Sequence, residues 1–136
     1  MRAQPVPSSH INLVWPEVKE YLESALKFSA GEYSAEQLKV FLIKGEQHLL
    51  VAVDEENKIN GCATVQFVDH PNFRVAFITS IGGKLIARPE TFEDLVNWAR
   101  FNGATKIQGA ARESIERLWR KLYKFERRYA IVEKDI

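Results

Sequence analysis

Apolar residues recur at helical spacing in PEVKEYLESALKFSAG, residues 16–31, where Val18, Tyr21, Leu22, Ala25 and Leu26 share one face. Pro16 is tolerated in a first turn and Gly31 stands just past the last apolar position, so the pattern predicts a helix between them. In SAEQLKVFLIKG, residues 34–45, Ser34 and Gln37 have capping-box spacing and Gly45 offers a left-handed stop, which predicts a second, shorter helix. The period then changes. QHLLVAVD, INGCATVQFV and FRVAFITSI are β-rich runs separated by the turn-like EENK and DHPN, and connections this short make neighbouring strands antiparallel. The expected arrangement is a meander.

PETFEDLVNWARFNG returns to the helical period through Phe92, Leu95, Val96 and Ala99, with Glu90, Glu93 and Asp94 in its first turns and Gly103 at its stop. TKIQGAA is predicted as a short strand and RRYAIVEKD, residues 127–135, as a closing strand. Between them RESIERLWRKLYKFERR, residues 112–128, places Ile115, Leu118, Trp119, Leu122 and Phe125 on the core stripe of a fourth helix.

That last stretch carries seven Lys/Arg against three Glu, a local basic excess in a chain whose formal net charge is only +1. Arg117, Arg120, Lys121 and Lys124 fall largely outside the apolar stripe, and Glu113 and Glu116 each precede a basic residue by four positions. The charges therefore read as a solvated face, and the pattern points away from nucleic acid, which calls for exposed aromatics or a larger one-sided excess. A length of 136 residues suits one domain spanning 1–136. Cys62 is the single cysteine, which excludes an intramolecular disulfide framework and fits a reducing compartment. No run approaches the roughly 18 apolar residues of a membrane span, and MRAQPVPSSH lacks a signal-peptide core, so a cytoplasmic chain without membrane contact is expected.

The order of elements, a short N-terminal segment, two helices, a three-stranded meander, a helix, a strand, a helix and a last strand, resembles the GNAT acetyltransferase superfamily over nearly the whole chain. The resemblance implies an α+β fold with a mixed, mainly antiparallel central sheet and helices flanking it. The family's last helix bears Asn, a small residue, Tyr, then Leu-Gly-Phe; on that pattern Arg112 stands at the Asn, Ile115 at the small residue, Trp119 at the Tyr and Leu122 at the Leu. FITS, residues 77–80, together with this degenerate helix, is similar to short GNAT-like proteins of tailed phages, some associated with virions.

The activity implied is acetyl transfer from acetyl-CoA to an amine, and it needs a phosphate cradle, an acid and a base. For the cradle the resemblance points to SIGGK after the fourth strand, with Thr79, Ser80, Ile81, Gly82, Gly83 and Lys84 as cofactor contacts and Arg112 helping to orient the cofactor. Gly82-Gly83 between FITSI and KLIA reads equally as a two-residue hairpin turn, which belongs to a different α+β sandwich. At the acid's position Trp119 has no useful acidity, which leaves Tyr123, one turn on, as the candidate donor against a plain packing role. No carboxylate or His lies in FRVAFITS to serve as base, Asp69 and His70 fit turn chemistry, and His10 and His48 stand alone without metal-ligand spacing. Two functions follow: a divergent N-acetyltransferase acting on an amine, or a non-catalytic GNAT-like scaffold for a protein partner or a second copy of the chain.

Overall fold

Five segments hydrogen-bond side by side in chain order to make one sheet: β1 (Arg2–Val6), β2 (His48–Val53), β3 (Ile59–Asp69), β4 (Arg74–Gly83) and β5 (Lys106–Gly109). The computed structural model describes residues 1–136. β1 to β4 are antiparallel, and β5 joins β4 in parallel after a crossover through a helix, so the sheet is mixed and mainly antiparallel. The helices are α1 (Ile11–Leu26), α2 (Ala35–Lys44), α3 (Pro89–Phe101) and α4 (Glu113–Tyr123).

Both faces of the sheet are covered, which is why HLLVAV reads as a continuous apolar run. Leu49 and Val51 face α1 and α2, where they pack with Ile11, Trp15, Val18, Leu22, Leu42 and Cys62. Leu50 and Ala52 point the opposite way, into a second core with Ala63, Val65, Ala76, Ile78, Leu95, Ala99 and Trp119. The capping box of α2 is formed in both directions, and Gly45 closes the helix at φ +75°. Helix α1 departs from its predicted start: it begins five residues before Pro16 because Ile11 and Trp15 extend the buried stripe. Pro16 thus sits inside the helix, where it removes one backbone hydrogen bond.

Gly82 and Gly83 do not make a hairpin; they end β4, paired with Cys62 and Gly61. A Cβ on Gly82 would stand 2.6 Å from the Tyr21 carbonyl oxygen, and one on Gly83, at φ +68°, would stand 2.5 Å from that of Asn60. The glycines let α1 lie directly against the end of β4. At the other side of the sheet, α3 guards the edge strand. The Asp94 carboxylate accepts from the Ala3 backbone N–H at 2.9 Å and from both Arg2 Nε and Nη2, at 2.9 and 2.6 Å, so the outer edge of β1 is capped.

The C-terminal part corrects three expectations. Residues 127–135 form no closing strand: Lys124 adopts φ +58°, which turns Phe125 back onto Trp119 and Phe92, and Arg127 then approaches Glu116 on α4 at 3.7 Å. Leu118 and Leu122 are 42% and 50% exposed, because α4 touches the body through one edge centred on Trp119 and not through the whole stripe. Glu116 pairs with Arg127 and not with Arg120 four positions on.

Two consequences are measurable by urea denaturation. Gly82→Ala forces α1 away from β4 and is expected to cost about 2–3 kcal/mol. Arg2, through its hydrogen bond, holds the Asp94 carboxyl below the usual carboxylate range, against a smaller opposing effect of burial. A depressed pKa contributes stability that is present above the ordinary carboxylate pKa and lost as pH falls through the folded value. Asp94→Asn is therefore expected to cost about 1 kcal/mol at neutral pH, and the difference from the parent protein should shrink on acidification.

Candidate functional site

β4 and β5 hydrogen-bond only from Val75–Lys106 to Ile78–Gly109, while β4 stays paired with β3 as far as Gly83. Residues 79–83 of a central strand consequently face the β5 side with no strand beside them. The parting coincides with a β-bulge: pairing passes from Val65–Ile78 to Thr64–Ser80, and Thr79 is the extra residue.

Four side chains behind the bulge explain why it holds. The Thr79 hydroxyl donates to Gln47 Oε1 at 2.7 Å, the Thr64 and Thr79 hydroxyl oxygens are 2.6 Å apart, and those of Thr64 and Ser80 are 2.5 Å apart. With one proton per hydroxyl, the chain of donation runs from Ser80 to Thr64 to Thr79 to Gln47. Thr64, Ser80 and Gln47 are buried, so each broken link would leave a desolvated polar group. The chain ends on an amide, which is no base, so it fixes the backbone and does not remove a proton. Gln47 Nε2 has no protein partner. A cavity of about 280 Å³ borders Gln47 and His48 beside Pro5–Ser8; it lies at the start of β2 and not along the free edge of β4.

The loop leaving β4 is anchored at Leu85, whose side chain is fully buried and whose carbonyl accepts from the Thr91 hydroxyl. Lys84 and Arg88 lie in this loop, and Arg88 is the N-cap of α3 without a side-chain cap. The helix start is a restricted anion site: Pro89 brings no N–H and Glu90 places a negative charge in the first turn. On the α1 side, Tyr21 fills the space that Gly82 and Gly83 leave.

Tyr123 reaches the same loop. Its hydroxyl donates to the Ile86 carbonyl at 2.5 Å and its ring stacks on Phe92 with centroids 3.9 Å apart. Burial, and secondarily Glu90, push its pKa up, so the phenol keeps its proton near neutrality. Trp119 is 4% exposed and packs on Gly109, where β5 ends, with its indole N–H unpartnered. Arg112 is the N-cap of α4, and its guanidinium lies 3.8 Å from the centre of the Phe28 ring in the connection between α1 and α2. Thr79 through Lys84 are thus contiguous along the free edge and its exit, with Tyr123 at the loop, whereas Arg112 is committed to Phe28.

Two of the other titratable candidates, His48 and Asp69, are occupied. His48 is held neutral, its pKa lowered by burial and then by Arg74, among the rings of Phe67 and Trp98. Asp69 forms a two-oxygen pair with Arg74 Nη1 at 2.9 and 2.8 Å. No three His, Cys, Asp or Glu side chains come together as a metal-binding group, and no helix is long and apolar enough to cross a membrane.

No family model and no curated protein matches the sequence. Solved structures do match in shape. A ribosomal-protein-alanine N-acetyltransferase from Brucella melitensis biovar Abortus 2308 superposes with TM-score 0.69 at 14% identity, over 99% of this chain and 100% of its own. An aminoglycoside acetyltransferase from an uncultured soil metagenomic sample, in complex with sisomicin, gives TM-score 0.68 at 12% identity over 99% and 95% of the two chains. A probable acetyltransferase gives 0.65 at 18% identity over 99% and 100%. The fold is therefore GNAT-like, and the alternative sandwich built on a Gly82-Gly83 hairpin is excluded.

Gln47 and Thr64 escaped the sequence reading, since only strand register and the bulge bring them to Thr79. Replacing Thr64 by Val keeps the shape but removes the acceptor of the buried Ser80 hydroxyl and the donor to Thr79, which still donates to Gln47; a loss of about 2 kcal/mol is expected in urea denaturation. Cys62, whose thiol burial pushes up to about 12, is expected to resist thiol reagents in the native protein and to react fully on unfolding.

Proposed function

We propose that this chain binds acetyl-CoA along the free edge of β4 and transfers the acetyl group to an amine. The observation that carries the reading is the unpaired edge of residues 79–83 in the middle of an otherwise paired sheet. An extended chain with amide groups can pair there as an added strand would. Acetyl-CoA supplies an activated acyl group as a thioester. The edge backbone at Thr79, Ser80 and Ile81 orients it, while Gly82 and Gly83 bring α1 close and Lys84, with Arg88, supplies positive charge for phosphates. This phosphate end depends on side chains more than on a glycine cradle, because Tyr21 fills the glycine side and Glu90 opposes an anion at α3.

As the amine nitrogen bonds to the acetyl carbon and the C–S bond breaks, Tyr123 releases the Ile86 carbonyl and gives its proton to the departing thiolate, and the proton lost by the new amide nitrogen returns through water to the phenolate. Trp119 closes the base of the gap as a wall. With no carboxylate or free imidazole at the edge, the acceptor amine enters unprotonated, and rate comes mainly from placing it against the thioester.

A second reading is favoured by one observation: the Tyr123 hydroxyl is already bonded and its ring already stacked. On that reading the fold is a non-catalytic scaffold for a protein partner, and a phage-encoded chain is one form of it.

Thermal unfolding with and without acetyl-CoA separates the two. A ligand at about a hundred times its dissociation constant stabilises by roughly 2.7 kcal/mol, which raises the midpoint by several degrees. An unchanged midpoint at millimolar acetyl-CoA rejects the acyl-transfer reading. If the midpoint rises, Tyr123→Phe is expected to leave the shift intact and to lower thiol release with an amine acceptor about 100-fold or more.

A further inference from the structure

Gln47 is only 1% exposed, and its side-chain amide is committed at one end only. Oε1 accepts from the Thr79 hydroxyl at 2.7 Å, and the backbone N–H donates to the Phe41 carbonyl in the turn that Gly45 makes after α2. Backbone and Oε1 together hold the amide plane, so Nε2 cannot swing out to solvent. It stays a buried donor without an acceptor in the protein. Buried donors are nearly always bonded, so this one calls for an acceptor from outside the chain.

The cavity of about 280 Å³ that Gln47 borders has a lining suited to such a partner. Pro7, Leu42 and Leu49 make apolar walls, and His48 with Trp98 makes an aromatic one. The two rings have centroids 5.7 Å apart, and Phe67 supports them from 5.4 and 5.2 Å, so the aromatic wall is fixed in advance. No Asp, Glu, Lys or Arg lines the cavity, and His48 is held neutral by burial and then by Arg74. A charged ligand would find no counter-charge there. The volume lies just below the roughly 300–1,000 Å³ of small-molecule sites, which suits a ring with a short polar arm.

We propose that this cavity binds a small, uncharged aromatic molecule that carries a carbonyl oxygen, its ring against Trp98 and His48 and its oxygen accepting from Gln47 Nε2. The site lies beside Pro5–Ser8, towards the β1 edge of the sheet and away from the free edge of β4. One hydrogen bond nevertheless links it to the bulge. A carbonyl that accepts from Nε2 polarises the amide and strengthens the bond that Oε1 accepts from Thr79.

A titration of the isotope-labelled chain with benzamide, followed by NMR, tests the site. Saturable shifts are expected at the Gln47 side-chain amide and the Trp98 indole N–H, with a smaller one at the Thr79 backbone amide and a millimolar or tighter dissociation constant. Toluene, which has no acceptor, and benzoate, which is charged, are each expected to bind about tenfold or more weakly. Ser8 is exposed at the rim, so Ser8→Phe is expected to fill the mouth and abolish the benzamide shifts without moving the unfolding midpoint. Gln47→Glu keeps an acceptor for Thr79 and removes the donor, and is expected to weaken benzamide about tenfold. No saturable shift, toluene bound as tightly as benzamide, or shifts that survive Ser8→Phe would overturn the site. Unchanged affinity in Gln47→Glu would overturn it equally; if that variant does not fold, Ser8→Phe and the toluene comparison still decide. Acetyl-CoA is absent throughout, so the failure of either proposal leaves the other intact.

Discussion

Everything at the candidate site follows from one extra residue in β4. Thr79 is bulged between Ile78 and Ser80, and the donation chain from Ser80 through Thr64 and Thr79 to Gln47 holds it in that position. β5 parts from β4 at the bulge, its last pairing being Gly109 with Ile78. Beyond it, β4 keeps its partner on the β3 side and has none on the β5 side. The polar cluster is buried and therefore costly to leave half-formed, which makes it a stiff hinge for the backbone beyond it.

The helices then place side chains around that edge. α1 reaches the end of β4 because Gly82 and Gly83 carry no side chains, and the buried Leu85 anchors the loop that delivers Lys84, Arg88 and the start of α3. α4 brings Tyr123 to the same loop and Trp119 to the end of β5. The chemistry available is a set of backbone amides, two cations and one protonated phenol, without a base. Positioning and charge neutralisation are what such a set can supply to acyl transfer.

Much of the frame was legible from local pattern. Ser34 with Gln37 and Gly45 marked α2, the short turns after Val53 and Asp69 marked the meander, and Gly103 marked the end of α3. Long-range facts were less accessible. Pro16 suggested a helix start, but burial of Ile11 and Trp15 outweighed one lost hydrogen bond. Gly82-Gly83 carried two local meanings, and the choice lay with Tyr21 on a different element. RRYAIVEKD has strand composition, but composition does not say which edge the segment meets. The bulge left no sequence signature, since Thr64 and Gln47 reach Thr79 only through register.

The central claim is that the backbone of residues 79–83 is the ligand-binding edge, and amide hydrogen exchange followed residue by residue tests it most directly. With acetyl-CoA added, the amides of Thr79 to Gly83 that are not bonded to β3 are expected to slow, while those of β1 and β2 stay unchanged. Uniform slowing would signal general stabilisation alone, and no change along β4, or protection confined to another surface, would contradict the account.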